Sequence, residues 1–428
     1  MRFPLMALAC LLAAAALPAT PAIAQSASAA APLTLAEAMR LAETAQPSVR
    51  AREAQLAAAE GARREASALL FNNPELSTER TRRRVDASEG SRNEWRVGIA
   101  QPFETGGQQS RRREAAAAGL DALSAEIDDV RRQARDDAAT RFIAVLAAQQ
   151  RVALERRSLE LFDGSAQAIA KRRAAGEDTR LDANVALVEA ERARNALAVA
   201  GEKLIEARGE LATAVQLPPS ALPDVAGELD ASVGSALPYT LDQLLGSARG
   251  AAKQRALVAR EEAARARLGV ERASRSPDVT VGLHVGREGP GDARERITTL
   301  SLSVPLPLFK RNDAAIGQAM SDMTQAEIER TSVTRDTQAR VRQLWSRLTS
   351  QRDRFQRLQR VMVPASADNR QLSVKSRQAG QIGLLDQLIV NRQALDAERD
   401  LNDLLAELHT TRIELESAAG WPQEGTAR

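Results

Sequence analysis

Pro277-Asp-Val-Thr-Val-Gly-Leu-His-Val285 and Thr299-Leu-Ser-Leu-Ser-Val304 are the stretches from which this chain is best read. In the first, Val279, Val281, Leu283 and Val285 alternate with Asp278, Thr280, Gly282 and His284; in the second, Leu300, Leu302 and Val304 alternate with Thr299, Ser301 and Ser303. A strict period of two with β-branched residues marks strands that bury one face. Strands are therefore expected at about 278–287 and 295–304, with Arg287-Glu-Gly-Pro-Gly-Asp292 as the hairpin loop between them. Roughly 200 residues earlier the same plan recurs. Pro74-Glu-Leu-Ser-Thr78 matches Pro277-Asp-Val-Thr-Val281, and Pro102 matches Pro305. Trp95, Val97 and Ile99 alternate there, predicting strands at about 75–84 and 93–101. The earlier of these is polar, with only Leu76 to support an apolar face, and it leans on the repeat.

The duplication extends through the chain. Pro32-Leu-Thr-Leu-Ala-Glu-Ala38 returns as Pro238-Tyr-Thr-Leu-Asp-Gln-Leu244. Arg173-Ala-Ala-Gly176, followed by Leu181-Asp182, returns as Arg377-Gln-Ala-Gly380, followed by Leu385-Asp386, and Leu217-Pro218 returns as Trp421-Pro422. Two tandem repeats, 25–217 and 239–422, are thus joined by a Pro/Gly/Ser-rich connector at 218–238 and followed by a short tail, 423–428. Each repeat reads as helix, two strands, long helix, tight turn, helix. The long helices, about 107–173 and 312–377, would each extend roughly 100 Å at 1.5 Å per residue, which is coiled-coil rather than globular geometry. Val341, Leu344, Leu348, Phe355, Leu358 and Met362 fall on heptad a and d positions, with Gln351 the exception. In the returning helices, Ala190, Ala193, Leu197, Ala200, Leu204, Ala207, Leu211 and Ala214 match Ala394, Ala397, Leu401, Leu404, Leu408, Thr411, Leu415 and Ala418. Small and large residues alternating along such seams allow antiparallel helices to approach closely across turns at Gly176 and Gly380.

The 428 residues are 44% hydrophobic but only 3% aromatic, and 27% are charged. A deep enzyme core would use more aromatic side chains, whereas Ala, Leu, Arg and Glu build long helices. Fifty-nine basic and 56 acidic residues are interspersed, giving solvated helix faces rather than a nucleic-acid groove. One Cys and two His, His284 and His409, exclude an internal disulfide, a thiolate zinc site and a His-rich metal centre. No pair of carboxylates has the spacing of acid/base chemistry, and no phosphate-binding glycine motif occurs, so neither catalysis nor a cofactor is expected. His284 reads as an ordinary strand residue. Arg82-Arg-Arg84 reads as a solvated part of the outer hairpin that could also face anionic lipopolysaccharide, and Arg111-Arg-Arg113 stands at the wrong end of a helix for the dipole.

Arg2, the apolar run Leu5 to Leu17, and Ala22-Ile-Ala24 form a secretory signal, 1–24, cleaved before Gln25. Cys10 lies inside the apolar run, where lipidation is a minor alternative. No later segment offers about 18 consecutive apolar residues, so any membrane crossing falls to the strands. Strands of about ten residues are long enough at a barrel tilt, but four cannot close a barrel and an open sheet leaves two edges in lipid. Three copies sharing edges would give a 12-stranded barrel and a ring of helical columns; two copies would give a side-chain-filled lumen. Phe71, Phe103 and Phe309 fall near the helix-side ends of strands, where a membrane interface would lie, or else they pack the strand-to-helix junction.

These residues resemble the TolC-type outer-membrane efflux protein family. The matching segments are Leu33-Thr-Leu-Ala-Glu-Ala38, Asn73-Pro-Glu-Leu-Ser77, Gln101-Pro-Phe-Glu-Thr-Gly-Gly107, Ser276-Pro-Asp-Val279, Pro305-Leu-Pro-Leu-Phe309, and Ala379-Gly380 with Leu385-Asp386. The resemblance is strongest to the cation-efflux (CzcC-like) branch. It implies a mainly α chain with a small β part, a homotrimer combining a periplasmic α-barrel with a 12-stranded transmembrane β-barrel, and a passive duct from periplasm to exterior. It further implies a periplasmic adaptor protein and an inner-membrane pump of the resistance-nodulation-division class as partners, outer-membrane lipid as surroundings, and heavy-metal cations as cargo. A multidrug or protein-export duct of the same family is the alternative, and a periplasmic coiled-coil adaptor a more distant one.

In the family the helix turns at the periplasmic tips meet the adaptor, and acidic residues after one turn narrow the entrance. Gly176, Asp182, Gly380 and Asp386 match these positions, with Asp386 the candidate constriction. A second acidic ring would lie three residues on, where this chain has Ile389. Asp182 and Asp386 have another reading, as N-terminal caps of the helices they begin.

Overall fold

The computed structural model describes residues 31–84, 91–234, 237–289 and 294–421. The export signal with Cys10 and the tail 423–428 lie outside the described residues. Three short helices, α1 (Leu35–Ala45), α2 (Pro47–Glu53) and α3 (Leu56–Ala66), lead to strands β1 (Glu75–Arg84) and β2 (Ser91–Phe103). The long α4 (Gln108–Ala174) and returning α5 (Arg180–Ala214) complete the first repeat. The second runs through α6 (Leu241–Ala248), α7 (Ala252–Ala273), β3 (Val279–Glu288), β4 (Glu295–Ser303), α8 (Asp313–Arg357), α9 (Val363–Gln378) and α10 (Leu384–Ala419).

The strands form one antiparallel sheet in the order β1-β2-β3-β4. Three of the strands end differently from expectation. β2 extends to 91–103, and β3 covers 279–288, so Arg287 and Glu288 belong to the strand and not to the loop. The register explains this: Trp95 pairs with Arg287, and Arg96 forms a 2.8 Å ion pair with Glu288, carrying the ladder past the apolar run. β4 ends at Ser303, two residues before Pro305, which has no N–H to continue a ladder.

The first long helix is unbroken over 67 residues. Its counterpart is not. Leu358–Met362 form a π-turn between α8 and α9. Pro364 lacks a backbone donor and its ring would meet the carbonyl of Arg360, and the widened turn accommodates both defects. The heptad seam stops there as well. Val341, Leu344, Leu348, Gln351 and Phe355 are all buried, while Met362 is 46% exposed.

Alanine and leucine fill the helix seams as their spacing required. Ala397, Leu408 and Leu415 of α10 are fully buried, and α4 packs against both α5 and α10 through Leu154, Phe162, Ile169, Ala186, Ala190, Leu388 and Leu395. The connector 218–238 is no loose linker. It contributes Leu222, Val225, Leu229 and Val233 to the main core, and Leu33 N donates to Asp224 O at 2.8 Å while Ala226 N donates to Leu33 O at 3.0 Å. A side chain at Gly234 would meet Phe355 at 2.5 Å, so the backbone passes where only glycine fits. Tyr239 rests against Trp421 and Trp345, with ring centres 5.3 and 6.4 Å away, and its hydroxyl donates to Glu416 at 3.0 Å. The scarce aromatics therefore brace this mid-body core as well as the strand ends.

Buried glutamates tie the helices in register. Glu155 on α4 is held by Arg151 of its own helix and Arg399 of α10; Glu189 on α5 by Arg192 and Arg392; Glu261 on α7 by Arg265 and Arg330. In each case one guanidinium comes from the same helix and one from a neighbour. His409, next to the connector, has its Nε2 3.0 Å from the carbonyl of Asp230. Burial lowers its pKa, and nearby Arg412 adds to this against the opposing pull of Asp230. The unfolded chain therefore takes up a proton near pH 6.5 that the folded chain refuses, and stability falls as pH drops through that value toward the lower folded pKa. His409→Gln is expected to flatten the pH dependence of the thermal midpoint between about pH 7 and 5, by up to a few degrees. An unchanged slope would contradict this role.

Candidate functional site

The sheet separates polarity by residue parity. On one face the register aligns Phe103 with Val279, Gln101 with Val281 and Leu302, Leu76 with Ile99, Leu283 and Leu300, and Thr78 with Val97, Val285 and Thr298. Beyond these rows come Arg80, Trp95, Arg287 and Arg296. Leu76, Ile99, Leu300 and Leu302 are 78%, 50%, 76% and 71% exposed, so this apolar face has no cover within the chain. From the Phe103 row to the Trp95 row is about eight residues, roughly 27 Å along a strand and about 20 Å when tilted by ~40°.

The opposite face carries Ser77, Glu79, Glu94, Arg96, His284, Thr299 and Ser301. Arg83 pairs with Glu94 at 3.3 Å, and Arg96 bridges Glu79 at 3.6 Å and Glu288 at 2.8 Å. The His284 ring occupies the space over Gly98, where a Cβ would come within 2.1 Å of it. Glycine there makes room for an ordinary strand histidine. Among the described residues no group of three or more His, Cys, Asp or Glu could hold a metal ion, and no helix is long and apolar enough to cross a membrane.

Where the sheet meets the helices, the sequence motifs converge. Gln101 donates to Asn72 O at 2.8 Å, Asn72 to Asp278 at 3.2 Å, Thr105 to Pro277 O at 2.9 Å and Gln108 to Ser276 O at 2.9 Å. A Cβ at Gly106 would stand 2.4 Å from that of Ser276, so the bare glycine backbone lets the two repeats meet here. The Arg111–Arg113 cluster finds its reason in this junction. Arg113 donates to Ala66 O and Ala68 O, each at 3.1 Å, satisfying carbonyls at the C-terminal end of α3 rather than serving α4's own dipole. Arg112 pairs with Glu104 and covers the Phe71 ring at 3.6 Å from its centre. Phe71 thus lies at the junction under Arg112, 39% exposed; Phe103 stands in the apolar face and Phe309 is 98% exposed.

At the far end of the helices, Gly176 (φ 81°) and Gly380 (φ 72°) adopt the left-handed conformation that closes α4 and α9. Each turn makes the same pair of carbonyl bonds: Glu177 N to Arg172 O at 2.9 Å and Gly176 N to Arg173 O at 3.0 Å, then Gln381 N to Ser376 O at 2.8 Å and Gly380 N to Arg377 O at 3.0 Å. Asp182 completes a capping box with Thr179, whose hydroxyl and backbone N–H hold its carboxylate pKa down. Asp386 accepts from Gly383 N at 3.1 Å. Both candidates are therefore caps in fact, and Asp386 remains exposed while doing so. Asp178, which no motif in the sequence marks, brings the turns together: it pairs with Arg172 at 3.0 Å and lies 3.9 Å from Arg377 of the other hairpin. Leu181 and Leu385, one residue before each aspartate, are 68% and 56% exposed.

A family model described as "Outer membrane efflux protein" matches residues 38–215 and 251–421, one match on each repeat. The cobalt-zinc-cadmium resistance protein CzcC of Cupriavidus metallidurans is 30% identical over 380 residues, 87% of this chain and 85% of that protein. Among solved structures, the outer-membrane channel OprN superposes with a TM-score of 0.78 at 20% identity, covering 91% of this chain and 90% of its own. CusC does so with a TM-score of 0.75 at 16% identity, covering 92% and 93%.

Proposed function

The chain belongs to the outer membrane efflux protein family, and on that premise we propose that three copies form the passive outer-membrane duct of a tripartite exporter for heavy-metal cations. It is a channel protein of the outer membrane, extending into the periplasm, and not an enzyme. Periplasmic adaptor and inner-membrane pump, the latter of the resistance-nodulation-division class, would supply specificity and energy. The reading as a coiled-coil adaptor is set aside by the family match over both repeats.

The observation that carries the trimer is the sheet itself. It has four strands, an apolar face about 20 Å tall and two open edges, β1 and β4, in a fold whose apolar band in membrane barrels is about 25 Å. Edges left open in lipid would strand backbone donors and acceptors, so β4 of one copy pairs with β1 of the next. The helical flanks support the same closure. α5 exposes Leu187, Val188 and Ile205, and α9 exposes Leu372 and Val374, apolar surfaces on outer helices that a neighbouring copy would cover.

The cargo is supported by the resemblance to a cobalt-zinc-cadmium resistance protein. A deletion strain should become sensitive to zinc, cobalt or cadmium while its drug tolerance stays unchanged. Drug sensitivity without metal sensitivity would favour a multidrug duct.

Asp386 is proposed as the entrance constriction, where three carboxylates about one axis would attract cations. Asp386→Ala should lower the cation preference of single channels several-fold, with only about 1 kcal/mol lost through the cap. A variant with unchanged preference would leave Asp386 as a cap alone.

A further inference from the structure

Charge on the strands is sorted by face with no exception among the carboxylates. Glu75, Glu79, Glu94, Glu288 and Glu295 all occupy positions on the polar face. The apolar face instead ends in a row that aligns Arg80, Trp95, Arg287 and Arg296. The arginines of this row also differ in their partners from those paired on the polar face. Arg83 and Arg96, on the polar face, are each ion-paired to strand glutamates. Among the described residues, Arg80, Arg287 and Arg296 have no ion pair and no side-chain hydrogen bond, and all three are exposed.

The level of the row gives it meaning. It lies one step beyond the Thr78, Val97, Val285 and Thr298 row, at the end of the apolar band away from the helices, and it contains the one tryptophan of the strands. Arginine on the lipid face of a barrel costs about 2–4 kcal/mol at the bilayer midplane but almost nothing at the interface, where tryptophan also prefers to lie. Three arginines at one level, with no carboxylate paired to them among the described residues, suit a level that holds anionic headgroups. Guanidinium is the cation best shaped to clamp phosphate with two donors.

Resting on the barrel reading above, we propose that Arg80, Arg287 and Arg296 form a phosphate-binding collar on the outer rim of the barrel, whose occupant is the phosphorylated glycolipid of the outer leaflet, lipid A. Closure of three copies repeats the row around the barrel, so each copy presents one cluster to the lipid ring. Trp95 anchors the same level at the acyl boundary.

Native mass spectrometry of the full-length oligomer, with lipid A and phosphatidylcholine as probes, tests this. Arg80→Gln/Arg287→Gln/Arg296→Gln should weaken lipid A retention at least ten-fold and leave phosphatidylcholine retention unchanged, since each arginine near an anionic surface contributes about a five-fold factor. Arg335→Gln, on a solvated face of α8, should match the unsubstituted protein. If the triple variant fails to assemble, Arg287→Gln and Arg296→Gln alone should each weaken lipid A retention two- to five-fold. Unchanged lipid A affinity in the variants, or equal retention of both lipids by the unsubstituted protein, overturns the collar. Membrane fractionation separates the two readings: outer-membrane oligomer with unaltered lipid A binding in the variants sinks the collar alone, whereas a soluble unsubstituted protein sinks the barrel and the collar with it.

Discussion

Leu300→Arg is expected to remove the protein from the outer membrane as an assembled oligomer. Leu300 lies in the middle row of the apolar face, aligned with Leu283, Ile99 and Leu76, and is 76% exposed. It is on β4, an edge strand of the sheet, which the proposed trimer pairs with β1 of a second copy. An arginine at this level would sit near the bilayer midplane, at a cost of about 2–4 kcal/mol in each copy. Three copies bring a penalty of about 6–12 kcal/mol, comparable with the whole stability of an ordinary domain. Thr299→Arg is the matched control. Its side chain takes the opposite face, in the row of Ser77, Gly98 and His284. It should assemble normally and lower or reorder single-channel conductance. Heat-modifiable migration of the oligomer from outer-membrane fractions reads both variants, and normal assembly of Leu300→Arg would refute the barrel.

Glu155→Ala is expected to lower the stability of the helical body by about 3–5 kcal/mol, the usual cost of removing one partner from a buried ion pair. Glu155 is 1% exposed. Arg151 Nε approaches it at 2.7 Å, and Arg399 of α10 grips it with Nε at 2.9 Å and a second donor at 2.5 Å. Burial pushes its pKa up, but hydrogen bonds and charge from Arg399 and Arg151 outweigh burial and leave it lowered. With the folded pKa depressed, the contribution is complete above the unfolded value near 4.3 and is lost as pH falls through the folded one. The deficit of Glu155→Ala in chemical denaturation should therefore be full at pH 7 and shrink below about pH 4. Glu155→Leu/Arg399→Leu should recover most of the loss, because an apolar pair of similar volume replaces the buried charges and Arg151 keeps Asp403 at 3.1 Å. A deficit that persists in the double variant would locate the effect in packing instead.

The two predictions divide along the line between local pattern and tertiary contact. The face of Leu300 was legible in the chain, because strand parity is a period-two property and each residue's face follows from its neighbours. Gly176 and Gly380 were legible for a similar reason, since a left-handed closing residue is a local demand. Pro364 is a local signal for the break in the second long helix, but the heptad reading passed over it and ran that helix unbroken from about 312 to 377. Glu155 stood out in no pattern. Its partner Arg399 is far away in sequence, and nothing in the spacing of either residue singles the pair out.

The amino-acid sequence by itself determined the duplication, the strand faces, the turns and the small-residue seams, because each is set by interactions between residues close along the chain. Tertiary structure alone decided which polar groups meet across it. Arg113 serves the end of α3 instead of α4, Asp178 links the two tip turns, the connector folds into the core, and Glu79, Glu94 and Glu288 find arginines on one face while Arg80, Arg287 and Arg296 on the other find no carboxylate among the described residues. Charges reach across several ångströms in any direction, so their partners depend on how helices and strands of distant sequence come to lie side by side.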